Sequence, residues 1–331
     1  MPRAPDFWYQ PPGLYAALLA PFGYLWQAVS AGKQRRSAPV KVSVPVISVG
    51  NLTVGGTGKT PVVQAILARL QARGIQAHAL SRGYGGRLAG PVLVDPLRHG
   101  SDDVGDEPLL LADRAPTWIA RDRAAGARMA IASGAQALVL DDGHQNLALA
   151  YDLALVVVDG AVGFGNGRII PAGPLRESVP DGLARTDLII AMGAIQSEDV
   201  RVAAAQAAVP VTGASLIPVG AEGMAGLKAL AFAGIGRPDK FFDTLRQAGV
   251  LLVGTQSFPD HHPYHAGELK TLAARAQALG AMLITTQKDW VRLEQPWRIQ
   301  VACLMISAQF EDDAVLDHAL DRLFSGASMQ A

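Results

Sequence analysis

The stretch GNLTVGGTGKTPVV, Gly50 to Val63, decides the fold. It closes as a phosphate-binding loop closes, on Gly58, Lys59 and Thr60, but Thr53 stands where the pattern G-x-x-x-x-G-K-[ST] has its first glycine. The flanks supply the context such a loop needs. VPVISVG (Val44 to Gly50) is a β-branched run ending in glycine, the pattern of a buried parallel strand. Lys59 to Arg73 then carries Val62, Val63, Ile66, Leu67 and Leu70 at helical spacing and stops at Gly74. Pro61 falls in the first turn, where a helix has no use for the N–H. The expected cradle comprises Thr53, Val54, Gly55, Gly56, Thr57, Gly58, Lys59 and Thr60. Its N–H groups suit a β-phosphate, Lys59 the β- and γ-oxygens, and the Thr60 hydroxyl Mg²⁺.

The chain has 331 residues, 50% of them apolar, enough for one large core or two medium ones. Its 29 basic residues balance 29 acidic ones, so no nucleic-acid footprint is expected. The single cysteine, Cys303, lies in an apolar run and reads as a core residue, which excludes a disulfide framework and thiolate–zinc chemistry.

From Pro11 to Gly32 there is no charged residue, and Leu14, Leu18, Leu19, Phe22, Leu25, Trp26 and Val29 share one helical face. Lys33, Arg35 and Arg36 follow. The favoured reading is an amphipathic helix in a membrane interface, its basic end on anionic headgroups. A spanning helix, disfavoured by Pro21 and Gly23, and a helix docked on the protein's own core are the alternatives. A signal peptide fits poorly, because the basic residues follow the apolar run.

Further strands are expected at Gln76 to Leu80, Ala137 to Leu140, Leu153 to Val158 and Asp187 to Ala191, with helices such as Glu107 to Ala112 and Arg121 to Ser133 between some of them. Around Pro210 to Gly226 the chain becomes proline- and glycine-spaced, the pattern of a hinge, and alternation then restarts. The fold class is therefore α/β: a P-loop-type, mostly parallel sheet domain and a second, smaller α/β domain joined by an extended hinge, after an N-terminal amphipathic helix. The expected boundaries are 1–36, 37–215 and 216–331, the last domain closing over the site.

Four other clusters carry chemistry. ALVLDDGHQN puts Asp141 and Asp142 at a strand end, the Walker B arrangement in which a carboxylate holds the Mg²⁺ shell. Asp106 and Glu107 open an apolar helix, where acids serve either as caps or as proton acceptor and metal ligand. GNGRIIPAGPLRES offers Arg168 and Arg176, planar cations suited to phosphate. FPDHHPYH offers Asp260, His261, His262 and His265; a histidine polarised by a carboxylate fits better than zinc, for which no cysteine or HExxH context exists.

Together with SRGYGG, VGDEPLLLA, ARDR, FAGIGRPDKFF and TTQKDWVRL, these motifs resemble, in order, the tetraacyldisaccharide 4′-kinase family of Gram-negative bacteria. The resemblance implies transfer of the ATP γ-phosphate, with Mg²⁺, to the 4′-hydroxyl of a tetraacylated glucosamine disaccharide 1-phosphate, giving lipid IVA. It implies a peripheral or monotopic protein on the cytoplasmic face of the inner membrane, with that lipid and the membrane surface as partners. By position, Lys59 and Thr60 match the P-loop pair, Asp106 the base and His261 its assistant. Glu107 and Asp141 match Mg²⁺-shell carboxylates, Asp142 and Gln145 the same metal-proximal motif, and Arg176 the cation on the transferring phosphoryl group. His144, Asn146 and Gln287 depart from the family's D-D-G-F-Q-H and its common glutamate. The competing class, a membrane-associated ATPase of the partition type, begins its loop K-G-G; here that lysine is Val54. No N-K-x-D guanine-reading motif is present, which favours adenine.

Overall fold

The computed structural model describes residues 4–35 and 37–325. In chain order the first half runs α1 (Leu14–Arg35), β1 (Val46–Gly50), α2 (Lys59–Ala72), β2 (Ala77–Ser81), β3 (Val92–Leu93), α3 (Ser101–Val104), α4 (Asp106–Ala112), β4 (Thr117–Ile119), α5 (Arg123–Ala132), β5 (Ala137–Asp141), β6 (Leu153–Asp159), α6 (Val179–Leu183), β7 (Leu188–Met192) and α7 (Glu198–Ala207). The second half runs β8 (Val211–Val219), β9 (Lys228–Ala233), α8 (Pro238–Gln247), β10 (Leu251–Ser257), α9 (Ala266–Ala278), β11 (Met282–Thr286), α10 (Gln287–Trp290), α11 (Gln295–Arg298), β12 (Val301–Phe310) and α12 (Asp313–Ser325).

All twelve strands form one sheet, ordered β10-β9-β11-β12-β8-β7-β6-β1-β5-β2-β4-β3. Two pairings are antiparallel, β12 with β8 and β3 with β4, and the others are parallel. β1, β2 and β5 are buried throughout, which is why β1 and β5 read as largely apolar runs and not as alternating ones. β1 lies between β5 and β6 with Val49 opposite Asp141, so the loop after β1 and the acidic end of β5 open on the same edge. In such sheets ligands bind outside the carboxyl ends of the strands.

The stretch expected as a hinge is extended and is built into the sheet. It contains β8, parallel to β7 on one side and antiparallel to β12 on the other. Packing also crosses residue 216: Ala308, Phe310, Leu316 and Leu320 lie in the same apolar cluster as Ile47, Val63 and Leu70. Charges on α12 hold it to α2, with Arg73 2.8 Å from Asp317 and 3.1 Å from Asp321 and Arg69 paired to Asp313. Half-exposed pairs of this kind contribute only about 0.2–1 kcal/mol each, so the buried leucines do most to fix the helix.

α1 continues through Pro21. It rests on the 164–180 segment through Gly23, where a Cβ would stand 3.0 Å from the Ile169 carbonyl oxygen. Two indoles hold this N-terminal region there: Trp8 Nε1, in the turn before α1, donates to the Pro171 carbonyl and Trp26 Nε1, on α1, to that of Arg176, each at 3.1 Å. Leu14, Leu18, Phe22, Leu25 and Val29, at helical spacing, are 60–74% exposed. A groove of about 220 Å³ runs between α1 and that segment, lined by Ala20, Tyr24, Ile169 and Val179 among others. The side chains of Lys33, Arg35 and Arg36 lie outside the described residues. Among the described residues no helix is long and apolar enough to cross a membrane.

Candidate active site

The loop after β1 has the shape of a phosphate cradle. Gly55 and Gly58 take φ of 126° and 87°, values open to glycine at little cost. Thr53 needs no such freedom: it is extended, bridged to Leu175, which explains why the first glycine of the pattern is dispensable. The loop is braced by Asn51, whose amide donates to the Thr53 carbonyl at 2.7 Å, and by the Val54 N–H on the Pro174 carbonyl at 2.8 Å. α2 then starts at Lys59, presenting the unpaired N–H groups and positive dipole end of a 14-residue helix.

Across the loop, Thr60 Oγ1 donates to Asp141 Oδ2 at 3.2 Å. Asp141 Oδ1 is buried without a hydrogen-bond partner. Burial pushes this carboxyl up to about 6; Glu107 and Asp142 add to the push and Lys59 opposes it. An under-compensated carboxylate beside a threonine hydroxyl is a donor set that suits a small hard cation. Among the described residues no group of three or more histidine, cysteine or acidic side chains forms a ready cage. Mg²⁺ usually needs none, since it binds through one or two carboxylates plus phosphates and water.

Asp142 is engaged differently. Its carboxylate lies 3.6 Å from Lys59 Nζ and 3.0 Å from Arg176 Nη1, and although burial favours its neutral form these two cations lower its pKa. Gln145 donates to the Asn51 carbonyl at 2.8 Å and to Glu177 Oε1 at 3.0 Å, and accepts from Arg176 at 3.3 Å. Lys59, Asp142, Gln145 and Arg176 thus form one charged cluster beside the cradle.

Asp106, at the start of α4, meets His261 of the segment after β10: Nδ1 is 3.0 Å from Oδ2. The pair expected from the sequence is already in contact in this arrangement. Arg292, which sequence reasoning did not single out, shares that oxygen, with Nη2 at 2.6 Å and Nε at 3.0 Å. Burial alone would raise the Asp106 pKa, but the bonds from His261 and Arg292 hold it down at about 2. Glu107 lies 3.9 Å from Lys288 Nζ, so the two acids opening α4 face two cations four residues apart in and just after α10. Among the described residues three non-glycine residues have positive φ, and two of them are Asp142 (56°) and His261 (60°). Backbone held in that region costs energy and is a mark of functional positions.

Other singled-out residues fall elsewhere. His144 is a packing residue: it is buried, Nε2 is 3.0 Å from the Gly182 carbonyl oxygen, and a Cβ on Gly50 would strike it at 2.4 Å. Asn146 caps a local turn through the Ala148 N–H, and Gln287 is buried in α10. His262 pairs with Glu268 at 3.0 Å, away from Asp106. Arg168 lines the groove under α1. Cys303 is half-buried, and burial pushes its thiol up to about 12, which leaves it a poor nucleophile.

Set at the carboxyl ends of parallel strands, with a strand-end carboxylate on its threonine, such a cradle marks a P-loop phosphotransferase. The family model for tetraacyldisaccharide-1-P 4′-kinase matches residues 15–325. A tetraacyldisaccharide 4′-kinase of Rhodospirillum centenum is 53% identical over 98% of this chain and 97% of its own. That of Dinoroseobacter shibae is 53% identical over 98% and 99%. The crystal structure of LpxK from Aquifex aeolicus in complex with ATP matches with a TM-score of 0.74 at 25% identity, over 94% of this chain and 100% of that one. The chain belongs to the tetraacyldisaccharide 4′-kinase family.

Proposed function

We propose that this kinase transfers the γ-phosphoryl group of ATP to the 4′-hydroxyl of a tetraacylated glucosamine disaccharide 1-phosphate, giving lipid IVA and ADP. The observation that carries the residue-level reading is the contact between the buried Asp106 carboxylate and His261, 3.0 Å apart. The loop N–H groups and the start of α2 hold the β-phosphate, and Lys59 neutralises β- and γ-oxygens. Arg176 turns from Asp142 to the transferring phosphoryl group. Asp106 takes the proton of the 4′-hydroxyl as the new P–O bond forms and the bond to the β–γ bridging oxygen breaks; His261 orients the carboxylate. Thr60, Glu107, Asp141, Asp142 and Gln145 are the residues that would hold Mg²⁺, which when bound supplies further charge neutralisation on the phosphate oxygens.

The exposed stripe of α1 lies in the interface on the cytoplasmic face of the inner membrane, where it meets a lipid acceptor. Residues 37–215 supply the cradle and the base, and residues 216–331 bring His261 against them. The test is incubation of purified protein with labelled ATP, Mg²⁺ and the detergent-dispersed disaccharide 1-phosphate. A lipid with one added phosphate is expected; no such product under conditions where ATP binds overturns the reading.

A further inference from the structure

We propose that Arg292 is the positioning residue of Asp106, gripping its carboxylate by one oxygen and leaving the other for the acceptor hydroxyl. The proposal rests on the reading of Asp106 as the base. Arg292 follows α10 and its side chain is only 4% exposed. It is fixed from behind before it meets Asp106, because Nη1 lies 3.0 Å from Asp289 Oδ1 and 3.1 Å from the Gly234 carbonyl oxygen. Asp289 is itself fully buried, accepting from the Gly234 N–H at 3.1 Å and from the Thr286 hydroxyl at 2.6 Å. A guanidinium so anchored has little freedom left.

On the far side, all the side-chain hydrogen bonds of Asp106 fall on Oδ2: two from Arg292 and one with His261. Among the described residues no side chain bonds to Oδ1. Arg292 Nη2 also lies 3.0 Å from His261 Nδ1, so the three groups meet at a single oxygen. This division of the carboxylate suits the chemistry. In a loose phosphoryl-transfer transition state little bonding to the nucleophile has developed, so the direction of the accepting oxygen counts for more than its basicity. Misplacing a reacting group by about 1 Å costs on the order of 10²-fold in rate. Arginine's planar fork can contact Asp106 and Asp289 at once, whereas lysine is a point charge on a flexible stem. The competing explanation is that the ion pair only staples α4 to the segment after β11, which would affect stability and not turnover.

The experiment is steady-state kinetics of Arg292→Gln, Arg292→Lys and Asp289→Asn, each on the wild-type and the Asp106→Asn background, with thermal melting of every variant. Arg292→Gln is expected to lower kcat by about 10²-fold while the KM for ATP stays within about twofold. Arg292→Lys is expected to recover about tenfold of that loss by restoring one charged contact. On the Asp106→Asn background Arg292→Gln should cost nothing further, because there is no longer a base to aim. Wild-type kcat in folded Arg292→Gln, or the same fractional loss on both backgrounds, overturns the proposal. If Arg292→Gln does not fold, Asp289→Asn carries the same pair of expectations, loss on the wild type and none on Asp106→Asn. Full turnover in Asp106→Asn alone is a separate result, which removes the base reading.

Discussion

His261 Nδ1 lies 3.0 Å from Asp106 Oδ2 although 155 positions separate the two residues. His261 reaches that place with a φ of 60°, a conformation asparagine tolerates better than most residues. Replacing the proposed base, Asp106→Ala, is expected to lower turnover by about 10²-fold or more with ATP affinity little changed, the scale of general-base loss. His261→Asn removes the imidazole while keeping a residue suited to the backbone, and should lower kcat by about tenfold or more in a protein that still folds, with a melting temperature reduced by the loss of one bond to Asp106. Unimpaired turnover in either variant would remove that residue's role.

The same contact has a consequence for acid stability. The Asp106 pKa is held at about 2 in the folded protein against 3.8 in the unfolded chain. A depressed carboxyl stabilises the folded state above its unfolded pKa, and that stabilisation is lost as pH falls from near 4 through 2. Its size is about 2 kcal/mol. Urea unfolding of the wild type and Asp106→Asn at pH 6, 4 and 3 should therefore show a stability gap that narrows with acid. A gap as wide at pH 3 as at pH 6 would contradict the assigned pKa.

Asp141 shifts the other way, and its proposed place in the Mg²⁺ set then ties the metal to protons. Its carboxyl is raised to about 6, mainly by burial, so below that pH a cation must displace a proton to bind. The Mg²⁺ concentration for half-maximal activity should rise as pH drops from 7 to 5.5, and chelation with EDTA should abolish turnover. Asp141→Asn should raise the requirement by about tenfold or more at pH 7 and flatten its pH dependence. An unchanged requirement in that variant would take Asp141 out of the metal set.

The centre of the sheet was legible because its strands are buried on both faces. β5 and β6 announce themselves as unbroken apolar runs, and the expected strand at Ala137 differs from the observed one by a single residue, Asp141. β8 was harder, since Pro210, Gly213 and Pro218 punctuate it and its antiparallel partner β12 lies over eighty positions away. The Asp106–His261 pair was legible through resemblance, whereas Arg292 was not, because a basic residue in VRL looks like a solvated helix charge. The available signal was Asp289 and Arg292 three apart around apolar Trp290 and Val291, two opposite charges set inside a run that packing would bury. The α12–α2 charge ladder has the same character: Asp313, Asp317 and Asp321 repeat every fourth residue, but nothing local names Arg69 and Arg73 as their partners.

α1 separates two jobs on two faces. Gly23 and the Trp26 indole N–H meet the 164–180 segment, and Leu18, Phe22 and Leu25 are exposed. Placing acids on the outer face, as in Leu18→Glu with Leu25→Glu, removes two apolar side chains, each contributing about 2 kcal/mol when buried. Sedimentation with anionic vesicles should fall by at least about tenfold, while melting and ATP binding stay as in the wild type. Trp26→Phe tests the inner face, because it deletes the indole bond to the Arg176 carbonyl and leaves the outer stripe intact. That variant should still sediment with vesicles but turn over more slowly, by about threefold to tenfold, as the loop carrying Arg176 loses one of its braces. Full sedimentation of the double glutamate variant would show that the stripe is not what meets the membrane, and normal turnover of Trp26→Phe would show that α1 does not help hold Arg176.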